Sequence, residues 1–382
     1  MHNVRNTQNI KRVIIKIGSS SLVGQDSLVN ETMFRNLIDI THTLNAKGID
    51  VVLVSSGAIA FGVKKLGLTK KPKELPLKQA CAAVGQASLM ATYQSYADKY
   101  HIACAQILVS HDDFENRKRM LHLTETFSAL FKAHILPIVN ENDTLTSEEI
   151  KIGDNDTLAG MLCPMVDCDL LILLSDIDGL YTANPRIDPE AHLIPYVEKV
   201  NKRIEAMAGD AGSSVGTGGM HTKLKAAYIS NQAGSAMVIM NSQDALKIVD
   251  LIEGQDIGTW FAPNPKGVNA KNHWLIYRTH VKGEIMVDDG AKQAIIAHSS
   301  LLPKGIIGVN GEFLEQSIVY IVDKDNAIIA KGITPYTSAE INTIKGLTTQ
   351  EAQTKVQRKV KAEVVHANDM VILSGGQYGF FD

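Results

Sequence analysis

From residue 12 to about residue 262, short β-branched and aliphatic runs alternate with longer stretches of helical periodicity, and this alternation narrows the possible folds most. The runs at 12–18, 50–54, 101–109, 135–139, 169–174 and 236–240 are largely apolar, as expected of strands buried on both faces. Between them, 31–46 has an amphipathic pattern that stops at Lys47-Gly48, a basic last turn and a glycine end. Helices are likewise expected over 58–66, from Pro76 onward, over 115–133 and over 157–162. A last strand is expected at 258–261. Strands joined through helices predict an α/β fold, a mostly parallel open sheet sandwiched by helices with right-handed connections.

The texture then changes. Residues 263–280 read as a linker rich in Pro, Asn and Gly. In residues 281–382, short strands are expected at 283–288, 306–309, 317–322 and 327–330, interrupted by one helix over 291–298, which predicts a small, mainly-β module. At 382 residues the chain exceeds one ordinary core, so residues 1–262 and 281–382 are expected as separate domains. Hydrophobic residues make up 45% and charged ones 21%, with a net charge of −3; nothing advertises nucleic acid or an anionic membrane as a partner. The four cysteines form no CxxC pair, which argues for a reducing compartment rather than a disulfide framework or zinc site. Residues 1–11 lack the apolar core of a signal peptide, and no apolar run would span a bilayer. A cytoplasmic protein without membrane contact is expected.

The polar residues cluster where the expected strands end. Lys16 lies in the first run, costly to bury unless it emerges beside a partner; the alternative is an edge-strand gatekeeper. Ser55-Ser56-Gly57 turns the second run into a helix, without the G-x-S-x-G pattern of a nucleophile elbow. Asn140-Glu141-Asn142-Asp143 follows the fourth run, and Asp154-Asn155-Asp156 precedes a helix; Asx turns and helix caps favour the same residue types. Ser175-Asp176 follows the most apolar run. Gly216-Thr217-Gly218-Gly219-Met220-His221-Thr222-Lys223 is either a flexible surface loop or a cradle whose glycines let an anion approach a helix N-terminus.

Several nucleotide motifs are missing. There is no G-x-x-x-x-G-K-[ST], no G-x-G-x-x-G after the first strand, and no H-R-D or D-F-G. Two lysines near glycine turns, with carboxylates between, suit phosphoryl transfer, which needs charge neutralisation and alignment more than covalent help.

These residues resemble the amino-acid kinase family. The likeness rests on Ile15-Lys16-Ile17-Gly18-Ser19-Ser20, Val54-Ser55-Ser56-Gly57-Ala58-Ile59, Ile138-Val139-Asn140-Glu141-Asn142-Asp143, Lys151-Ile152-Gly153-Asp154-Asn155-Asp156, Asp178-Gly179-Leu180-Tyr181-Thr182 and Gly216-Thr217-Gly218-Gly219-Met220. From about Gly283 the chain resembles a PUA domain, which accompanies the kinase in many bacterial members. The resemblance implies ATP-dependent phosphorylation of the side-chain carboxylate of L-glutamate, the first step of proline synthesis. By position it implies Lys16 and Lys223 on the phosphates, with Asp156 holding them. It implies Ser56, Asp143 and Asn155 on glutamate, and an ATP site of Lys16, Ser175, Asp176, Thr217, Gly218, Gly219, Met220, His221, Thr222 and Lys223, with Mg²⁺ carried on the phosphates. It also implies feedback inhibition by proline and a homo-oligomer. Ser175 stands where threonine is common, and His221 where a small residue is. RNA binding through the PUA-like part is a competing expectation with little support: Lys304 is an isolated charge, and no Arg/aromatic stripe is evident. A sister kinase acting on acetylglutamate, aspartate or a nucleoside monophosphate is the nearer rival.

Overall fold

A computed structural model of the chain describes residues 5–24, 29–145, 155–208, 219–265, 275, 281–356 and 361–373. The chain divides into two units, residues 1–268 and 269–382, the division falling inside the stretch expected as linker.

Among the described residues, the first unit is built on an eight-stranded sheet: β1 (Arg12–Ile17), β2 (Asp50–Val54), β3 (Cys104–Val109), β4 (Leu136–Glu141), β5 (Leu170–Ser175), β6 (Tyr196–Val197), β7 (Ala236–Asn241) and β8 (Thr259–Phe261). Their order is β3-β4-β2-β1-β5-β7-β8-β6. Every neighbouring pair is parallel except β7 with β8. From β1 the chain fills one side with β2 to β4 and then returns to place β5 on the other. The strand order therefore reverses between β1 and β5, where open α/β sheets leave a crevice at the carboxyl ends.

β1 shows how the sheet aims a side chain. Val13, Ile15 and Ile17 pack into a core with Leu37, Leu44 and Phe34 of the helix Glu31–Ala46, together with Leu53 and Ile172 of the flanking strands. Side chains alternate along a strand, so Ile14 and Lys16 face the other way. That face meets the helix Asn155–Leu162.

Several boundaries differ from expectation, each for a local reason. The third strand starts at Cys104 rather than 101, because His101 takes a left-handed conformation (φ 55°) after a 3₁₀ turn. The helix expected over 115–133 is two, His111–Glu115 and Arg117–Lys132; Asn116 between them turns its side chain onto the N–H groups of Lys118 and Arg119. β4 continues through Glu141, so Asn140 is a strand residue rather than part of a turn. The helix expected from 157 begins at Asn155.

The second unit carries β9 (Gly283–Val287), β10 (Ile306–Asn310), β11 (Ser317–Val322), β12 (Ile328–Thr334) and β13 (Met370–Ile372), ordered β10-β9-β11-β12-β13. Its own core includes Ile285, Val287, Val319, Ile321, Ile341 and Ile344. Beside Asp289–Ile296, where the sequence predicts a helix over 291–298, its described residues include two helices not expected from the sequence, Ser338–Ile344 and Thr349–Lys355. The last two open on capping boxes, Thr337 with Glu340 and Thr348 with Glu351, a signal written in the sequence. Among the described residues of either unit, no helix is long and apolar enough to cross a membrane.

Candidate active site

Two helices deliver charge to the face of β1 that carries Lys16. One is Asn155–Leu162; the other, Met220–Gln232, starts directly after Gly219. They meet at Gly160, where an added Cβ would stand 3.0 Å from the carbonyl oxygen of Ala226. Gly160 lies one turn after Asp156, and Ala226 three residues after Lys223, so the close approach places both functional side chains on facing surfaces.

Lys16 Nζ lies 2.5 Å from Asp156 Oδ1, and Lys223 Nζ donates to Asp156 Oδ2 at 2.8 Å. The Thr222 hydroxyl is 3.3 Å from the same Oδ2 and donates to the Gly219 carbonyl at 2.8 Å. All three charged residues are buried, with 8%, 1% and 6% exposure for Lys16, Asp156 and Lys223. Burial pushes the Asp156 carboxyl up, but the two lysines outweigh it and hold it below the usual carboxylate range. Two ammonium groups thus converge on one buried carboxylate, a concentration of positive charge suited to an anion. The N–H groups of the first turn of Met220–Gln232 stand beside it, as a phosphate would require.

On the β2 side the Asn155 amide ties the start of its helix to the end of a strand. Its Nδ2 lies 2.7 Å from the Ser55 carbonyl oxygen, 2.6 Å from Ser56 Oγ and 3.1 Å from Asn140 Oδ1. Gly57, in a left-handed conformation (φ 95°), then turns the chain into the helix Ala58–Lys65. That helix packs backbone to backbone against Leu75–Ala97: a Cβ on Gly85 would sit 1.8 Å from the Ala58 carbonyl oxygen, and one on Gly62 equally close to that of Cys81. Asp143 lines a pocket of about 180 Å³ together with Gln86, Gln106, Glu141, Asn142 and the small side chains of that helix pair.

Ser175 ends β5 next to β1, its hydroxyl 3.2 Å from Asp176 Oδ1. Arg186 pairs with Asp176 at 2.9 Å. His221 is exposed on the first turn of its helix. Thr217 and Gly218 lie outside the described residues, as do Gly216 and residues 151–154. The fold thus brings together Lys16, Asp156, Thr222 and Lys223 as one group, and Ser56 and Asn155 as another. Gln86, Gln106 and Arg186 were not singled out from the sequence. A glutamine within the small-residue run Ala80-Cys-Ala-Ala-Val-Gly-Gln86 was the available signal for one of them.

The fold and the charged cluster define a class, enzymes of phosphoryl transfer built on an open α/β sheet. Residues 11–241 match the amino acid kinase family and residues 283–356 match the PUA domain. The chain belongs to the amino acid kinase family. It is 43% identical over 368 residues to the glutamate 5-kinase of Carboxydothermus hydrogenoformans, covering 96% of this chain and 98% of that protein. It is 40% identical to that of Caldanaerobacter subterraneus subsp. tengcongensis, over 96% of this chain and 100% of that protein. Among solved structures, carbamate kinase from Giardia lamblia bound to AMP-PNP superposes with a TM-score of 0.49 at 17% identity, covering 67% of this chain and 99% of that one.

Proposed function

We propose that the protein phosphorylates the side-chain carboxylate of L-glutamate with ATP, yielding L-glutamyl 5-phosphate, the first step of proline biosynthesis. The convergence of two buried lysines on one buried carboxylate at the strand-order reversal carries the chemistry. The choice of glutamate is supported by likeness to glutamate 5-kinases over nearly the whole chain.

The attacking carboxylate is already ionised at neutral pH, since a glutamate side chain titrates near 4.3, so no general base is needed. One of its oxygens bonds to the γ-phosphorus as the bond to the bridging oxygen breaks, and ADP leaves without a proton transfer. Lys16 and Lys223 would neutralise charge building on the transferred group, and Asp156 would hold both ammonium groups on one side of it. Ser175, Asp176 and residues 217–223 would line the ATP site. Ser56, Asn155 and Asp143 would hold glutamate, the Asp143 carboxylate facing its ammonium group. Mg²⁺ bound to the ATP phosphates would supply further charge neutralisation; among the described residues, no group of three or more His, Cys, Asp or Glu is placed to hold a metal by itself. Feedback inhibition by proline, a homo-oligomeric state and a cytoplasmic location are proposed on the family likeness alone.

The test is ATP consumption with glutamate, N-acetylglutamate and aspartate in turn, with hydroxylamine to trap an acyl phosphate. Hydroxamate is expected with glutamate; its absence there would sink the assignment.

A further inference from the structure

Behind the proposed glutamate site runs a chain of four amide side chains whose direction is set by the main chain. The Ser55 carbonyl can only accept, so Asn155 must turn Nδ2 toward it, at 2.7 Å. The Glu141 N–H can only donate, so Asn140 must turn Oδ1 toward it, at 2.9 Å. These two anchors decide the rest. Asn140 Oδ1 also receives Asn155 Nδ2, and Asn140 Nδ2 is left to donate to Gln86 Oε1 at 3.0 Å. Gln86 Nε2 then donates to Gln106 Oε1 at 3.2 Å. Gln86 and Asn140 are 7% and 2% exposed, so water cannot easily substitute for a lost partner.

The consequence lies at the substrate end. With the two Nδ2 hydrogens shared among the Ser55 carbonyl, Ser56 Oγ and Asn140 Oδ1, the oxygen of Asn155 remains as the acceptor end of its amide. Ser56 Oγ, accepting from Asn155 at 2.6 Å, keeps its own hydrogen to donate. The site therefore offers an acceptor suited to an ammonium group and a donor suited to a carboxylate, the two features of an α-amino acid. We infer that Gln86 is a positioning residue: by accepting from Asn140 Nδ2 it holds Asn140, and through it Asn155, in the orientation that the main chain dictates, with Gln106 holding it from behind. This rests on the assignment of Ser56 and Asn155 to glutamate.

The experiment measures kcat and the KM values for glutamate and ATP in the full-length enzyme, for Gln86→Leu, Gln86→Glu, Asn155→Ala and the Gln86→Leu/Asn155→Ala double variant. Gln86→Leu leaves a buried Asn140 amide unpaired, and is expected to raise the glutamate KM roughly tenfold while kcat and the ATP KM stay within about twofold. Gln86→Glu still offers Asn140 an acceptor and should keep the glutamate KM near the parent value. In the Asn155→Ala background, Gln86→Leu should add little further loss, because its effect passes through Asn155. An unchanged KM in Gln86→Leu beside an impaired Asn155→Ala would overturn the positioning role alone. Full additivity, or an equal rise in the ATP KM, would overturn it too. An Asn155→Ala enzyme with normal glutamate KM would remove the glutamate assignment and the positioning role with it. If Gln86→Leu does not fold, Gln86→Met makes the same comparison at nearly the original side-chain length.

Discussion

Asp156 joins two buried lysines and is also the residue proposed to position them for phosphoryl transfer. Replacing it with asparagine keeps the shape but takes away the carboxylate that buried Lys16 and Lys223 share, and breaking a buried pair of this kind costs about 3–5 kcal/mol. Asp156→Asn should therefore unfold at markedly lower temperature, with ATP or another polyanion restoring part of the loss by binding the two lysines. Its pH dependence has a definite sign. The folded-state pKa lies below the unfolded value of about 3.9, so the carboxylate's contribution is complete above that value. It is lost as pH falls through the lower, folded-state value. Acid titration of stability should show the parent losing in that window a contribution that Asp156→Asn lacks. Lys223→Ala makes a different prediction. On the proposed mechanism it removes charge stabilisation of the transferred phosphoryl group, so kcat should fall about 10²–10³-fold with a small change in the glutamate KM. A rise confined to the glutamate KM would show that Lys223 serves substrate binding instead.

At the scale of elements, the active-site geometry depends on how closely helices approach. Gly160 lets Asn155–Leu162 lie against Met220–Gln232, and the 3.0 Å clearance is tight enough that an alanine must push Ala226 back by a few tenths of an ångström. Alanine also stiffens the helix, a gain of about 0.5–1 kcal/mol that offsets much of the strain. Gly160→Ala is thus expected to stay folded, with a denaturation midpoint near the parent's, while kcat drops about tenfold because Lys223 moves relative to Asp156. Unaltered kcat would show that the helix spacing tolerates that displacement. The Gly62 and Gly85 contact is less forgiving, since a Cβ at 1.8 Å from a backbone oxygen cannot be accommodated without separating the helices. That contact also seats Gln86 beside the pocket. Helix and strand identities were largely legible from periodicity. The closeness of these pairs was not, because a glycine in a helical pattern reads first as a weak helix former.

The whole molecule places its described site residues, from Lys16 to Lys223, within residues 1–268. That unit has its own core, and so does the second. A chain ending at residue 268 should therefore fold and retain glutamate-dependent ATP consumption, checked by the hydroxamate assay beside the full-length enzyme. A folded but inactive fragment would show that the PUA domain contributes to catalysis.

What the amino-acid order determined alone is set by short-range physics. The alternation of apolar runs with helical patterns dictates a parallel sheet covered by helices, and the polar residues after each run mark the carboxyl ends of its strands. The glycine-rich approach to Thr222-Lys223 leaves a surface loop and an anion cradle at a helix start both open. Tertiary structure alone decided which of these separate signals meet. Lys16 and Lys223 stand 207 positions apart in the sequence, and they share Asp156 because strand alternation turns one toward a helix face and a glycine contact presses the other onto it. The direction of the amide chain from Gln106 to Asn155 is also tertiary. An amide side chain has no inherent polarity in a sequence, and acquires one only when a main-chain carbonyl and a main-chain N–H take hold of it.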